Sequence, residues 1–109
     1  QTFDYRPLAN ATHELLARGE ADALLWIDAF GRNGTPPAAA TPARTIVLGA
    51  TCSAQARDAA VFIPVGTPGL DHAGRLLRTD AVVSLALTQQ RSSGLPAVAT
   101  VLRAIEAEL

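Results

Sequence analysis

Apolar residues in this chain gather into short unbroken runs, separated by stretches rich in Gly, Pro or polar residues. Three runs have strand length: Ala23–Ile27 (ALLWI), Thr45–Leu48 (TIVL) and Val61–Ile63, the last closed by Pro64. Runs without polar alternation are the pattern of strands covered on both faces, as in a parallel sheet. Proline donates no backbone hydrogen bond, so Pro64 marks a strand end. Before the first run, Asn10 is placed to cap a helix over Ala11–Arg18, and Gly19 supplies a natural C′ stop. Ala11, Leu15 and Leu8 fall on its apolar side. After the second run, bounded by Gly49, Thr51–Asp58 reads as a short helix. Two further runs, Arg75–Arg78 and Ala81–Ala86, are joined at Thr79-Asp80 like the arms of a hairpin. The last element is the best helix: Pro96 is expected at or near N1. Val98, Val101, Leu102, Ile105 and Leu109 then recur at three- and four-residue spacing. The order of these elements predicts an α/β domain, Rossmann-like, with a mostly parallel sheet, a β-hairpin and a C-terminal helix packed on the sheet. Gly31–Pro42 is read as a connector.

A length of 109 residues suits one domain over residues 1–109. The apolar fraction of 49% is high for that size while aromatics make up only 5%, so Ala and aliphatic residues must fill the interior. The excess also points to surface intended to be covered by another body. Nine basic and ten acidic side chains give a net charge of −1, with no run of either sign. All the basic residues are Arg. Nucleic-acid binding requires a concentrated basic stripe, which is missing, and a membrane span requires about 18 or more apolar residues in succession. The single cysteine, Cys52, cannot form an internal disulfide, which fits a cytoplasmic setting. A chain that opens at Gln1 and contains no Met is expected to be the C-terminal piece of a longer polypeptide.

Few residues offer chemistry. Cys52 reads as a small buried filler, because no basic neighbour in sequence would lower its pKa. His13 reads as a solvated helix residue, since Leu16 and Ala17 occupy the positions where a second metal ligand would stand. Gly66, Gly69 and Gly74 lack the lysine and following helix of a phosphate loop. There is no Ser-centred nucleophile elbow, no paired-carboxylate helix and no CxxC. In open α/β sheets, ligands gather beyond the carboxyl ends of strands. That rule singles out Asp28 at the end of the first strand, and Asp71, His72 and Gly74 in the loop after the third, as candidate cofactor-binding positions. Asp71-His72 also reads as a plain loop turn.

The segment AAVFIPVGTPGLDHAGRLLRTDAVVSLAL, residues 59–87, places a strand, a proline stop, a loop, an acidic residue before a glycine, and a hairpin beginning at that glycine in succession. It resembles the corresponding segment of the molybdopterin oxidoreductases, and most closely that of the molybdopterin-type subunit of the formylmethanofuran dehydrogenase family. LLARGEADALLWI, TIVL and the GLP preceding the final helix are similar to further parts of the same polypeptide, so the resemblance covers about residues 9 to 109. It implies a nucleotide-binding-like domain inside a larger chain. In cofactor-bearing relatives the strand-end loops approach molybdopterin guanine dinucleotide with Mo or W. Those relatives follow the first strand with small residues and an Asn/Asp-Pro pair, whereas this chain reads Asp28-Ala29-Phe30-Gly31. The bulky Phe30 favours the cofactor-free relative of methylotrophic bacteria, the equivalent component of a formyltransferase/hydrolase complex. The resemblance thus implies no catalytic residue and no cofactor in this stretch. It implies a scaffold whose partners are the other subunits of the complex, in formaldehyde-to-formate metabolism. Two alternatives stand beside it. One is part of a working Mo or W formylmethanofuran dehydrogenase. The other is an independent small-molecule module gripping a ligand at Asp28, Asp71 and Asp80.

Overall fold

A computed structural model describes residues 11–31, 36, 44–50, 59–77 and 83–109. Three strands, β1 (Leu24–Asp28), β2 (Thr45–Gly49) and β3 (Val61–Pro64), form a parallel sheet in the order β1-β2-β3. Leu24 pairs with Thr45 and Asp28 with Gly49, while Ile46 pairs with Val61 and Gly49 with Pro64. The proline does not interrupt the ladder's end, because the next residue continues it: the Val65 N–H donates to Gly49 O at 2.9 Å. Strands β4 (Gly74–Leu77) and β5 (Ser84–Leu87) make the antiparallel hairpin. Helices α1 (Thr12–Ala17) and α2 (Val98–Ala107) complete the described elements. The expected α/β class, parallel sheet, hairpin and C-terminal helix are all present.

Residues paired across a parallel ladder share a face and alternate along each strand. One face therefore carries Leu25 and Ile27, Ile46 and Leu48, and Val61 and Ile63; the other carries Leu24, Trp26, Val47 and Phe62. The core cluster is Ala29, Leu48 and Val65, against which Ile63 and the α2 residues Val98, Val101 and Leu102 pack. The predicted apolar face of the last helix is thus the one that meets the sheet. Fully burying a side chain such as Leu48 is worth about 2–3 kcal/mol.

Several boundaries differ from the sequence reading. Strand β1 is not covered on both faces: Leu25 is 42% and Ile27 48% exposed, as is Val61 at 46% on β3. Only the central strand, β2, is buried along most of its length. An unbroken apolar run is ambiguous here, because a strand with one neighbour in the sheet and a strand between two neighbours can carry the same residues. Helix α2 starts later than expected. Ala97, extended and without a side-chain cap, is its N-cap, which puts Pro96 before the helix and not at N1. Pro96 instead offers its carbonyl to the Gly66 N–H at 2.9 Å. Leu109 lies beyond the helix and is fully exposed. Ala11 takes the N-cap position of α1; Asn10 and Leu8 lie outside the described residues. The stop at Gly19 holds, with φ of 69°. Glu20 N–H reaches Leu15 O at 3.0 Å and Gly19 N–H reaches Leu16 O at 3.2 Å, the paired bonds of a Schellman motif. The hairpin arms are shifted to 74–77 and 84–87, and its expected turn at Thr79-Asp80 lies outside the described residues. So do the Thr51–Asp58 helix, Cys52 and most of the 31–42 connector.

Candidate functional site

The carboxyl ends of the three strands converge at Asp28-Ala29, Gly49-Ala50 and Pro64-Val65. Ala50 N–H donates to Asp28 O at 3.2 Å, so the ladder holds the β1 and β2 ends side by side. Ala29, Gly49, Ala50 and Val65 are buried. Part of the cover comes from α2, whose Val98, Val101 and Leu102 pack on the cluster containing Ala29 and Val65. Among the described residues, further cover comes from the loop after β3, which turns back across the sheet end. There Thr67 Oγ1 donates to Ala29 O at 2.9 Å, thirty-eight residues away in sequence.

The loop is built around a carboxylate. Asp71 Oδ2 accepts the Thr67 N–H at 2.8 Å, and Asp71 Oδ1 accepts Arg91 Nε at 2.6 Å. Its side chain is 2% exposed, whereas that of Arg91 is 57% exposed. The Arg91 hydrogen bond, then the Thr67 N–H, hold the Asp71 carboxyl far below the usual carboxylate range against the opposing effect of desolvation, with Ser93 and the Arg91 charge assisting. Asp71 and Leu70 N–H both donate to Thr67 O, and Gly69 N–H donates to His72 O. His72 is folded inward as well, with Nδ1 2.8 Å from Ala73 O and Nε2 3.2 Å from Gly66 O. Two glycines sit where a side chain would crowd its neighbours. A methyl at Gly66 would lie 3.0 Å from Asp71 Cβ and 3.1 Å from His72 Cδ2, and one at Gly69, where φ is 78°, would lie 3.2 Å from Leu87 Cβ. Gly74 opens β4 against Pro68, whose Cβ would be 3.3 Å from an added methyl.

The structure therefore brings Asp71, His72 and Gly74 into one loop and sets that loop on the residue following Asp28. Adjacent Asp71 and His72 turn to different partners and make no proton-relay pair. Asp71 is an internal anchor with both oxygens engaged. Asp28 stands half-buried at the end of β1, where its carbonyl also accepts the Gly31 N–H at 3.2 Å. Thr67 and Arg91 are not among the residues that the sequence pattern singles out. Arg91 lies twenty residues beyond its partner in a polar TQQRSS stretch, and no local spacing rule links the two. The only available signal was an Asp in a Gly/Pro loop between apolar elements, which once buried requires a cation from somewhere. Among the described residues no group of three His, Cys, Asp or Glu side chains could hold a metal ion, and no helix is long and apolar enough to cross a membrane. His13 is exposed on α1 beside Glu14, 3.4 Å from its carboxylate.

No family model matches the chain, and no curated protein matches it. Among solved structures it is similar to a chain of the formyltransferase/hydrolase complex (FhcABCD) from Methylorubrum extorquens in complex with methylofuran. The two share 28% sequence identity and superpose with a TM-score of 0.64 over 87% of this chain. The match covers 26% of that chain, so the present sequence spans about a quarter of its structural relative, a chain of a multi-subunit assembly.

Proposed function

We propose that this chain is a structural, interaction-type domain related to the molybdopterin-type subunit of formylmethanofuran dehydrogenase, serving a formyltransferase/hydrolase complex of one-carbon metabolism. The observation that carries the reading is the likeness over 87% of the chain to part of such a complex. Two features of the fold support a scaffold over a cofactor site. The strand ends, where an open α/β sheet takes its nucleotide, are covered by Val65, by α2 and by the loop anchored at Asp71. The exposed side chains Leu25, Ile27, Phe30 and Val61 also leave apolar surface of the kind that partner chains bury against one another.

The test is the molybdenum and tungsten content of the intact parent protein, purified with its natural partners and assayed for release of formate from a formyl carrier. The expected result is conversion without stoichiometric metal. Stoichiometric metal would replace this reading with a cofactor-bearing dehydrogenase. Purification as a stable single species that neither retains partners nor turns over a formyl carrier would favour an independent binding module.

A further inference from the structure

We infer that residues 67–74 form a polar-latched lid over the carboxyl end of β1, which lifts when the Asp71–Arg91 pair is lost while the parallel sheet stays folded. The inference follows from what seats this segment. No apolar side chain within it is buried: Leu70 and Ala73 are exposed and Pro68 is half-buried. The one side chain withdrawn from water is the carboxylate of Asp71. Apart from Gly69, which lies against Leu87, and Gly74, which pairs with it, the segment is attached to the rest of the molecule by a few polar contacts. They include Thr67 Oγ1 to Ala29 O at 2.9 Å, Arg91 Nε to Asp71 Oδ1 at 2.6 Å, and the Gln90 and Arg91 N–H groups to Leu70 O at 3.0 and 2.9 Å. The sheet beneath is held differently, by Val47, Leu48 and Val65, none of which has accessible surface. A segment with little buried apolar contact opens at lower free energy than the core it lies on.

The ion pair is the element on which the lid turns. Arg91 is half-exposed and so is reached from solvent, while its partner is not. Removing the cation leaves a buried carboxylate without its charge partner, the costliest state such a pair can be left in. The shortest relief is for Asp71 to reach water, which requires the 67–74 segment to lift and nothing in the sheet to unfold. Gly66 immediately precedes the moving part and Gly74 ends it where β4 begins, so these two glycines can absorb the backbone rotation. Lifting breaks the Thr67–Ala29 bond and uncovers the β1 end beside Asp28. The lid holds whether or not the chain serves a formyl-transferring complex.

The experiment is residue-resolved hydrogen–deuterium exchange on the intact protein and on its Arg91→Ala and Arg91→Lys variants. In Arg91→Ala the amides of Thr67, Gly69, Leu70 and Asp71 should exchange at least about tenfold faster, while those of 24–28 and 45–49 keep their rates. Arg91→Lys retains the charge and should fall between the two. Unchanged exchange in the lid overturns the inference. So does parallel acceleration in the strands, or failure of both variants to fold, since the pair would then be a contact of global stability.

Discussion

In the parallel sheet, the wholly buried side chains are Val47 and Leu48, and the helix packed against the sheet contributes Val98, Val101 and Leu102. In the 67–74 loop the buried side chain is a carboxylate, held by Arg91 and by the Thr67 amide. The first region is held by apolar area removed from water, which has no direction and tolerates small displacements. The second is held by hydrogen bonds and one ion pair, which are directional and fail as a set when a partner is removed. The two regions touch at Ala29, so a rigid body and a polar cover share one residue.

That contrast can be broken from either side. The largest effect is expected from Leu48→Ala, which empties a site with no accessible surface and should lower the unfolding free energy by about 4 kcal/mol. A loss below about 1 kcal/mol by denaturant titration would mean that the core is not where the sheet meets α2. Val101→Asp should destabilise by about 3 kcal/mol, slightly less because a half-buried carboxylate can turn part-way to water. An unchanged melting temperature would detach α2 from the core.

The glycines sharpen the comparison at the next level down. Gly19 and Gly69 both have positive φ, but a methyl at Gly19 meets nothing within 4 Å whereas one at Gly69 meets Leu87. Gly69→Ala should therefore lose about 2 kcal/mol from strain plus the displaced leucine, and Gly19→Ala about 1 kcal/mol from backbone strain alone. Equal losses would show that Leu87 moves aside freely.

The smallest global effect is expected from acid. The folded-state pKa of Asp71 is depressed, so its stabilising contribution is present above the unfolded carboxylate value of about 3.9 and is lost as pH falls through the lower folded value. Protection of the loop amides, taken relative to their intrinsic exchange rate at each pH, should fall below about pH 4, while Asp71→Asn, which carries no charge to titrate, loses that dependence. A pH profile shared by wild type and Asp71→Asn would remove Asp71 as its source.

Much of the body was legible from residues. Three apolar runs, a proline stop and a 3–4 repeat from Val98 onward are local patterns, and they located β1, β2, β3 and α2 to within two residues. Gly19 stopped α1 where a left-handed residue was needed. The failures were also local in kind. Pro96 has the features of a helix start, yet its carbonyl is claimed by Gly66, thirty residues earlier, and the helix begins after it. ALLWI and TIVL look alike in one dimension. Only pairing decides which run lies in the middle of the sheet and is buried, and which lies at the side with Leu25 and Ile27 in solvent.

The candidate site divides along the same line. The position of Asp28, Asp71, His72 and Gly74 beyond strand ends follows from the chain's own punctuation. Their employment does not. Whether a carboxylate meets a ligand or an arginine of its own chain depends on where residue 91 comes to rest, and no periodicity specifies a contact across twenty residues. Element types, the helix stop at Gly19 and the apolar face of α2 were written in the order of residues, because hydrogen-bond period, backbone sterics and proline's missing donor act between near neighbours. Strand order, the seat of α2 against Ala29, Leu48 and Val65, and the closing of the sheet end by an Asp71–Arg91 latch came from folding in three dimensions. Those outcomes depend on which distant groups a folded chain brings within about 3 Å of each other, the range over which a hydrogen bond forms.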